Sequence, residues 1–295
     1  MIYGIICKEV KDMDKKLITD SGVSLPNKLI KENNIEVIPF NITLNERNFL
    51  DGIDIKSKEL LNNMKKEDKI YKTSQVNPQQ FRKSFEKHII KGREIIYIGI
   101  SNKISGTIKS AKLAKKDLLI KYPKAKIHII NSNTASIGQG LIVYKTAKLL
   151  EKGLNVKKTK EKTKKNIKNN QLYFTVDDLK YLYRGGRIGK LNNMIGGILN
   201  IKPILKIEKG KIVSFDKIRG TSKLKKELIK LINTKKNKPK KNILNIFYSG
   251  EPEKAIKLKE DLKEKTDIED IMVSKVGCVI GSHIGPNAIG ISFIG

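Results

Sequence analysis

Four short apolar runs set between helical patterns constrain what this chain can fold into. Leu17-Ile18-Thr19 runs into Asp20-Ser21-Gly22, and Glu36 to Phe40 forms a second extended piece. Glu94 to Ile100 (EIIYIGI) reads as a buried strand, and Lys126 to Asn131 (KIHIIN) as the next. Asn77-Pro78-Gln79-Gln80 opens a helix, with Asn at the N-cap, Pro at the first helical position and Gln placed to close a capping box. Phe81, Phe85 and His88-Ile89 continue the apolar face of that helix. After Ser105, Ile108, Ala111, Leu118 and Leu119 recur at helical spacing. Ile137 to Lys152 is the next helix, ended by Gly153. The alternation predicts βαβ units of a parallel sheet with right-handed crossovers, and hence an α/β fold.

A lysine-rich, polar, helix-prone stretch at 156–170 separates this half from the rest. A length of 295 residues suits two domains, placed at 1–168 and 169–295, with residues 1–15 as an extension. Beyond it, Leu172 to Val176 reads as a strand. Asp177 is expected to cap a short helix stopped by Gly185-Gly186, with Gly185 in the left-handed position. Pro203 to Ile207 and Lys211 to Phe215 flank Glu208-Lys209-Gly210 as a hairpin. Ser222 starts a helix carrying Leu224, Leu228, Leu231 and Ile232 on one face. Ile243 to Tyr248 is a strand, Pro252 to Lys265 a helix and Ile271 to Val276 a strand. Gly281 to Ala288 reads as a Gly-rich loop around His283.

The formal charge of +31 raises the question of a polyanionic partner. Residues 151–170 carry eight lysines against two glutamates, and 222–242 carry nine against one. Base-edge readout leans on arginine, and single-strand platforms on interleaved aromatics. The basic residues are almost all lysine, and neither segment contains an aromatic. The charge therefore reads as a solvated surface rather than a specific nucleic-acid site. No apolar run approaches the 18 or so residues that span a bilayer. The N-terminal MIYGIIC leads straight into charged residues, unlike an export signal, so a cytoplasmic protein is expected. Cys7 and Cys278 lack metal or redox spacing, and Cys278 lies in an apolar run as a buried residue would. His88, His128 and His283 are dispersed, so no metal or other cofactor is expected, and His88 and His128 read as structural.

Polar clusters follow the predicted strands, where open α/β sheets bind ligands. They are Asp20-Ser21, Ser101 to Thr107 and Asn131-Ser132-Asn133, while Thr73-Ser74-Gln75 precedes the Asn77 helix. Each Ser or Thr alone is best read as a helix cap, but several converging hydroxyls suit a carboxylate or phosphate. Arg184-Gly185-Gly186-Arg187 reads as a helix stop whose arginines can contact an anion or a partner.

Taken in order, these motifs resemble the DegV family from about residue 16 to the C-terminus. The set comprises Asp20-Ser21, Asp51-Gly52 with Asp54, Thr73-Ser74-Gln75, Ser105-Gly106-Thr107 and Gly185-Gly186-Arg187-Ile188. It continues with Lys202-Pro203-Ile204-Leu205, Lys217-Ile218-Arg219-Gly220 and His283-Ile284-Gly285-Pro286. The family often has Gly where Asn287 stands here. The resemblance implies a two-domain α/β protein with a long-chain fatty acid, such as palmitate, buried between the domains. Thr73 and Ser105 would hold the carboxylate, with Ser74, Gly106, Thr107 and His283 beside it. It implies no catalysis by the chain alone: the lipid is presented to a fatty acid kinase of dihydroxyacetone-kinase type that makes an acyl phosphate. Arg187 is then expected at the phosphoryl step or the partner contact, in an exposed turn, rather than on the lipid. Two rival readings remain. One is a hydrolase with Ser105 as nucleophile, His283 as base and Asp20 as orienting acid, although no GxSxG elbow is present. The other is a basic binder of nucleic acid or of a membrane surface.

Overall fold

The computed structural model describes residues 14–187, 201–219, 221–233 and 243–295. The extension through residue 13 with Cys7, the Ile188-Gly189 pair and Gly220 lie outside the described residues.

The chain begins with β1 (Lys15–Asp20), α1 (Asn27–Glu32) and β2 (Glu36–Ile38). A hairpin, β3 (Asn41–Leu44) and β4 (Arg47–Leu50), follows, then α2 (Ser57–Glu67) and β5 (Lys72–Ser74). Asn45 and Glu46 both take positive φ, as a two-residue hairpin turn requires. The βαβ pattern resumes with α3 (Pro78–Ile89), β6 (Glu94–Gly99), α4 (Thr107–Lys121) and β7 (Ile127–Asn131). The expected parallel sheet is present, in the order β2-β1-β6-β7, while β4-β3-β5 form a separate antiparallel sheet. The capping box of α3 is closed in both directions. The Gln80 N–H donates to Asn77 Oδ1 at 2.9 Å, and the Asn77 N–H donates to Gln80 Oε1 at 3.0 Å. Phe81 and Phe85 from α3 pack around Tyr97 of β6, with Phe81 and Tyr97 edge to face at 4.9 Å.

Next come α5 (Ser136–Glu151), α6 (Val156–Asn169), β8 (Asn170–Thr175) and α7 (Lys180–Arg184). The chain closes with β9 (Ile201–Glu208), β10 (Lys211–Arg219), α8 (Thr221–Asn233), β11 (Ile243–Tyr248), α9 (Glu253–Lys265), β12 (Asp270–Lys275), α10 (Cys278–Ile284) and β13 (Ile289–Ile294). Six of these strands form a mixed sheet in the order β10-β9-β8-β13-β11-β12, with only β11 and β12 parallel. The β9–β10 turn places Lys209 and Gly210 at positive φ, so the sequence-predicted hairpin is tight.

Helix α5 joins the two larger sheets, packing on β1 and β6 at one side and on β8, β11 and β13 at the other. Its residues Ser136 to Val143 are all buried, which accounts for the absence of a polar stripe in SIGQGLIV. Gly140 is needed for close approach: a Cβ there would overlap the Ser24 carbonyl oxygen.

Three local expectations are corrected, and one strand is added. Asp177 does not cap α7; it pairs with Lys202 at 2.6 Å, and the Asp178 carboxylate accepts the Lys180 N–H at 2.8 Å. The left-handed residue ending α7 is Gly186, φ +67°, while Gly185 keeps a right-handed φ of −77°. The segment around His283 is helix α10 rather than a loop. The run after Asn287 is β13, a central strand of the six-stranded sheet. Asn287 itself sits at φ +62°, a conformation that Gly adopts freely and Asn tolerates.

Candidate functional site

An apolar cavity of about 690 Å³, counting its mouth, lies where the two larger sheets meet. Ile100 and Ile104 reach it from the loop after β6, Ile207 and Ile212 from the β9–β10 hairpin, and Val279, Ile280 and Ile284 from α10. The period-two alternation of β8 decides its contribution. Leu172 and Phe174 line the cavity, while Tyr173 packs on the opposite face with α8 and α9. The polar lining comprises Thr73, Gln75, Ser105, Ser136, Arg187 and His283. Thr73, Arg187 and His283 also line a second chamber, which Lys69, Lys72, Tyr181 and Arg184 border as well. These three residues therefore form the neck between an apolar interior and a cationic vestibule.

At the neck, Thr73 Oγ1 and His283 Nε2 share a hydrogen bond of 2.8 Å. Burial, and then the Arg187 charge, push the His283 imidazole down to about 3, so the ring is neutral near pH 7. Its Nδ1 is enclosed without a hydrogen-bond partner among the described residues. That nitrogen abuts Gly185, where a Cβ would overlap it. A neutral ring with its proton on Nε2 donates to Thr73 and leaves the Thr73 hydroxyl proton free for a ligand. Ser105 Oγ lies 2.8 Å from Thr107 Oγ1 and accepts the Thr107 N–H at 3.3 Å, at the start of α4. Gln75 donates to Ser110 Oγ at 2.8 Å, which ties the β5 strand end to α4. Arg187 is half-buried, and its guanidinium donates to the Gly185 carbonyl. Burial lowers its pKa. Arg187 was expected in an exposed turn; it sits at the neck because the turn after α7 folds back onto α10.

Of the sequence candidates, Thr73, Ser105, His283 and Arg187 share the cavity wall. Ser74 is exposed on β5, Thr107 is buried behind Ser105, and Gly106 packs against the Gln75 side chain, all three outside the lining. The acidic motifs serve the frame. Asp20, fully buried, accepts from Tyr97 Oη at 2.6 Å, the Ile100 N–H at 3.0 Å and Gln139 Nε2 at 3.1 Å. Burial raises its pKa. Asp51 accepts the Cys278 and Val279 N–H groups at 2.8 and 3.1 Å and the Ser21 hydroxyl at 2.8 Å, so it caps the helix that carries His283. Cys278 is buried, and burial together with the Asp51 carboxylate pushes its thiol up. His88 and His128 bind Glu36 and Glu94 at 2.6 and 2.7 Å, the structural role expected of them.

The geometry does not assemble a Ser-His-Asp relay. Ser105 pairs with Thr107 and His283 with Thr73, while Asp20 is bonded to Tyr97, Ile100, Gln139 and Gly22. Among the described residues no group of three His, Cys, Asp or Glu could hold a metal ion, and no helix is long and apolar enough to cross a membrane.

A family model described as "Uncharacterised protein, DegV family" matches residues 15–295. The chain belongs to the DegV family. A DegV domain-containing protein of Clostridium perfringens is 33% identical over 281 residues, covering 95% of this chain and 97% of that one. Two solved structures share the fold of this DegV protein. A fatty-acid-binding DegV family protein from Thermus thermophilus is 27% identical at a TM-score of 0.87, covering 96% of this chain and 100% of that one. A stearic acid-binding protein from Eubacterium ventriosum is 26% identical at a TM-score of 0.88, covering 95% and 98%. Sequence reasoning found the polar end of this DegV cavity but not its walls. Ile207, Ile212, Val279 and Ile280 belong to no motif, and only strand alternation and the turn of α10 bring them together.

Proposed function

We propose that this DegV protein binds a long-chain fatty acid in the apolar cavity and presents its carboxylate, at the neck, to a partner kinase. The observation that carries the reading is an apolar cavity ending on Thr73, Ser105 and His283, with a single arginine at the edge. Burying about 14 methylenes at roughly 0.8 kcal/mol each supplies about 11 kcal/mol of gross transfer energy. Ordering and desolvation reduce it. A carboxylate brought to the neck must be hydrogen-bonded, and two hydroxyls backed by a neutral histidine provide for it without a strong ion pair. Such a head group keeps an oxygen free to accept a phosphoryl group. The vestibule with Lys69, Lys72 and Arg184 opens toward that oxygen.

Native mass spectrometry of the purified protein tests the binding. The expected result is a bound mass of a long-chain fatty acid, exchangeable with added oleate. An empty protein that takes up neither palmitate nor oleate would end this reading. For the partner step, a dihydroxyacetone-kinase-type enzyme is added with ATP and acyl phosphate is measured. Arg187→Ala is expected to lower transfer far more than fatty-acid affinity, because its guanidinium is turned to the Gly185 carbonyl. Loss of lipid affinity in a folded Arg187→Ala protein would place the guanidinium on the head group instead.

A further inference from the structure

A second groove, larger than the lipid cavity, lies on the far face of the six-stranded sheet between α8 and α9. It encloses about 1660 Å³ counting its open side. Its floor is the edge where β8 and β11 end and β13 begins, with Thr175 and Ile289 paired across it. Carboxyl ends of strands are where open α/β sheets bind ligands. Its walls include Leu228 and Ile229 of α8 and Leu258 of α9. Its rim carries Lys202, Lys226, Lys230, Lys254, Lys257 and Lys265. Against these stand Asp177, bound to Lys202 at 2.6 Å, Glu227, near Lys230 at 4.0 Å, and Asp261, which shares a face of α9 with Lys254, Lys257 and Lys265. Lys226, Lys254, Lys257 and Lys265 have no ion-pair partner among the described residues.

The floor supplies an independent observation. Thr175 is 2% exposed, and its Oγ1 has no hydrogen-bond partner among the described residues. The alternation along β8 turns it to the α8–α9 face, with Tyr173 and away from Phe174 and the lipid cavity. Buried hydroxyls are nearly always satisfied, so an unpartnered one at the base of a cationic groove is a donor awaiting an acceptor. We propose that this groove binds a soluble organic phosphate carrying at least two negative charges, with its phosphates on the lysines and Thr175 and its apolar body against Leu228, Ile229 and Leu258. Lysines hold phosphate as point charges, and the aliphatic walls exclude water from the ligand's other face. The site is separate from the neck and does not rest on the lipid reading.

The test uses the full chain, isothermal titration with ADP and with inorganic pyrophosphate, and vesicles containing phosphatidylglycerol. ADP is expected to bind, and more tightly than pyrophosphate because of its apolar body. Thr175→Val is expected to weaken ADP by about tenfold, the loss of one hydrogen bond to a charged group. Its melting temperature should hold or rise, since an unsatisfied buried hydroxyl is removed. Lys254→Gln with Lys257→Gln should weaken ADP at least as much, while Lys157→Gln with Lys158→Gln on α6 should leave it unchanged. Should Thr175→Val fail to fold, the α9 pair reads the site by itself. Equal ADP affinity in the wild-type protein and the α9 pair would overturn the proposal in favour of diffuse surface charge. Binding to vesicles with no binding of ADP or pyrophosphate would overturn it in favour of a membrane contact.

Discussion

Thr73 and His283 meet at 2.8 Å although 210 positions separate them. If the Thr73 and Ser105 hydroxyls at the polar end of the cavity hold a carboxylate, Thr73→Ala and Ser105→Ala should each weaken fatty-acid binding by about 1.5–3 kcal/mol while the fold survives. The double variant need not be additive, because the survivor can relax. Titration of oleate against each variant checks this; unchanged affinity in both would place the head group elsewhere. His283 makes a separate prediction about pH. Its ordinary pKa is 6.5 and in the folded protein it falls to about 3, because the ring is desolvated and faces Arg187. Through that interval the unfolded chain binds a proton that the folded protein refuses. The stabilisation is therefore complete above pH 6.5 and is lost as pH falls toward 3. His283→Gln should flatten this part of the profile relative to wild type, read as the shift in urea midpoint across the interval. Parallel profiles would mean that the ring is solvated.

At the scale of elements, legibility followed where each cap and partner came from. Helix α3 was readable because Asn77, Pro78 and Gln80 are its own local start signal. The β9–β10 hairpin was readable because Lys209-Gly210 takes positive φ at a point the sequence marks with Gly. Helix α10 was not, because its cap is Asp51, 227 positions earlier, and Gly277-Cys278 carries no local start signal. Asp51→Ala should accordingly destabilise the protein by about 1–3 kcal/mol through two orphaned helix N–H groups and a lost hydroxyl partner. It should also weaken fatty-acid binding although Asp51 lies outside the lining, since α10 carries His283 and Ile284. Chemical denaturation and oleate titration on one preparation check both effects; full affinity at reduced stability would show that α10 holds its place without the cap.

At the scale of the molecule, α5 couples the two sheets whose meeting forms the cavity, and Gly140 sets how closely it can approach β1's loop. Gly140→Ala should cost about 1–3 kcal/mol, as overpacking does, despite the higher helix propensity of Ala. A gain in stability, measured by urea unfolding, would show that Ser24 and its loop yield freely. The charge of +31 has a local reading as well as the general one. Most lysines decorate the surface, but six converge on one groove whose floor holds an unpartnered hydroxyl.

The βαβ run from β6 to α5, the parallel sheet and the β9–β10 hairpin were legible in the sequence, because periodicity, capping and turn chemistry act within a few residues, whereas Thr73, Ser105 and His283 were marked by their resemblance to the DegV motifs. Only the tertiary structure decided that Asp20 and Asp51 hold the frame rather than a ligand. Each carboxylate is satisfied by backbone and hydroxyl donors from distant segments. It also decided that Arg187 stands at the neck, that β13 runs through the centre of the second sheet, and which face of β8 meets the apolar cavity. Those outcomes depend on which surfaces pack together, and burial is a property of the assembled fold rather than of any short stretch of chain.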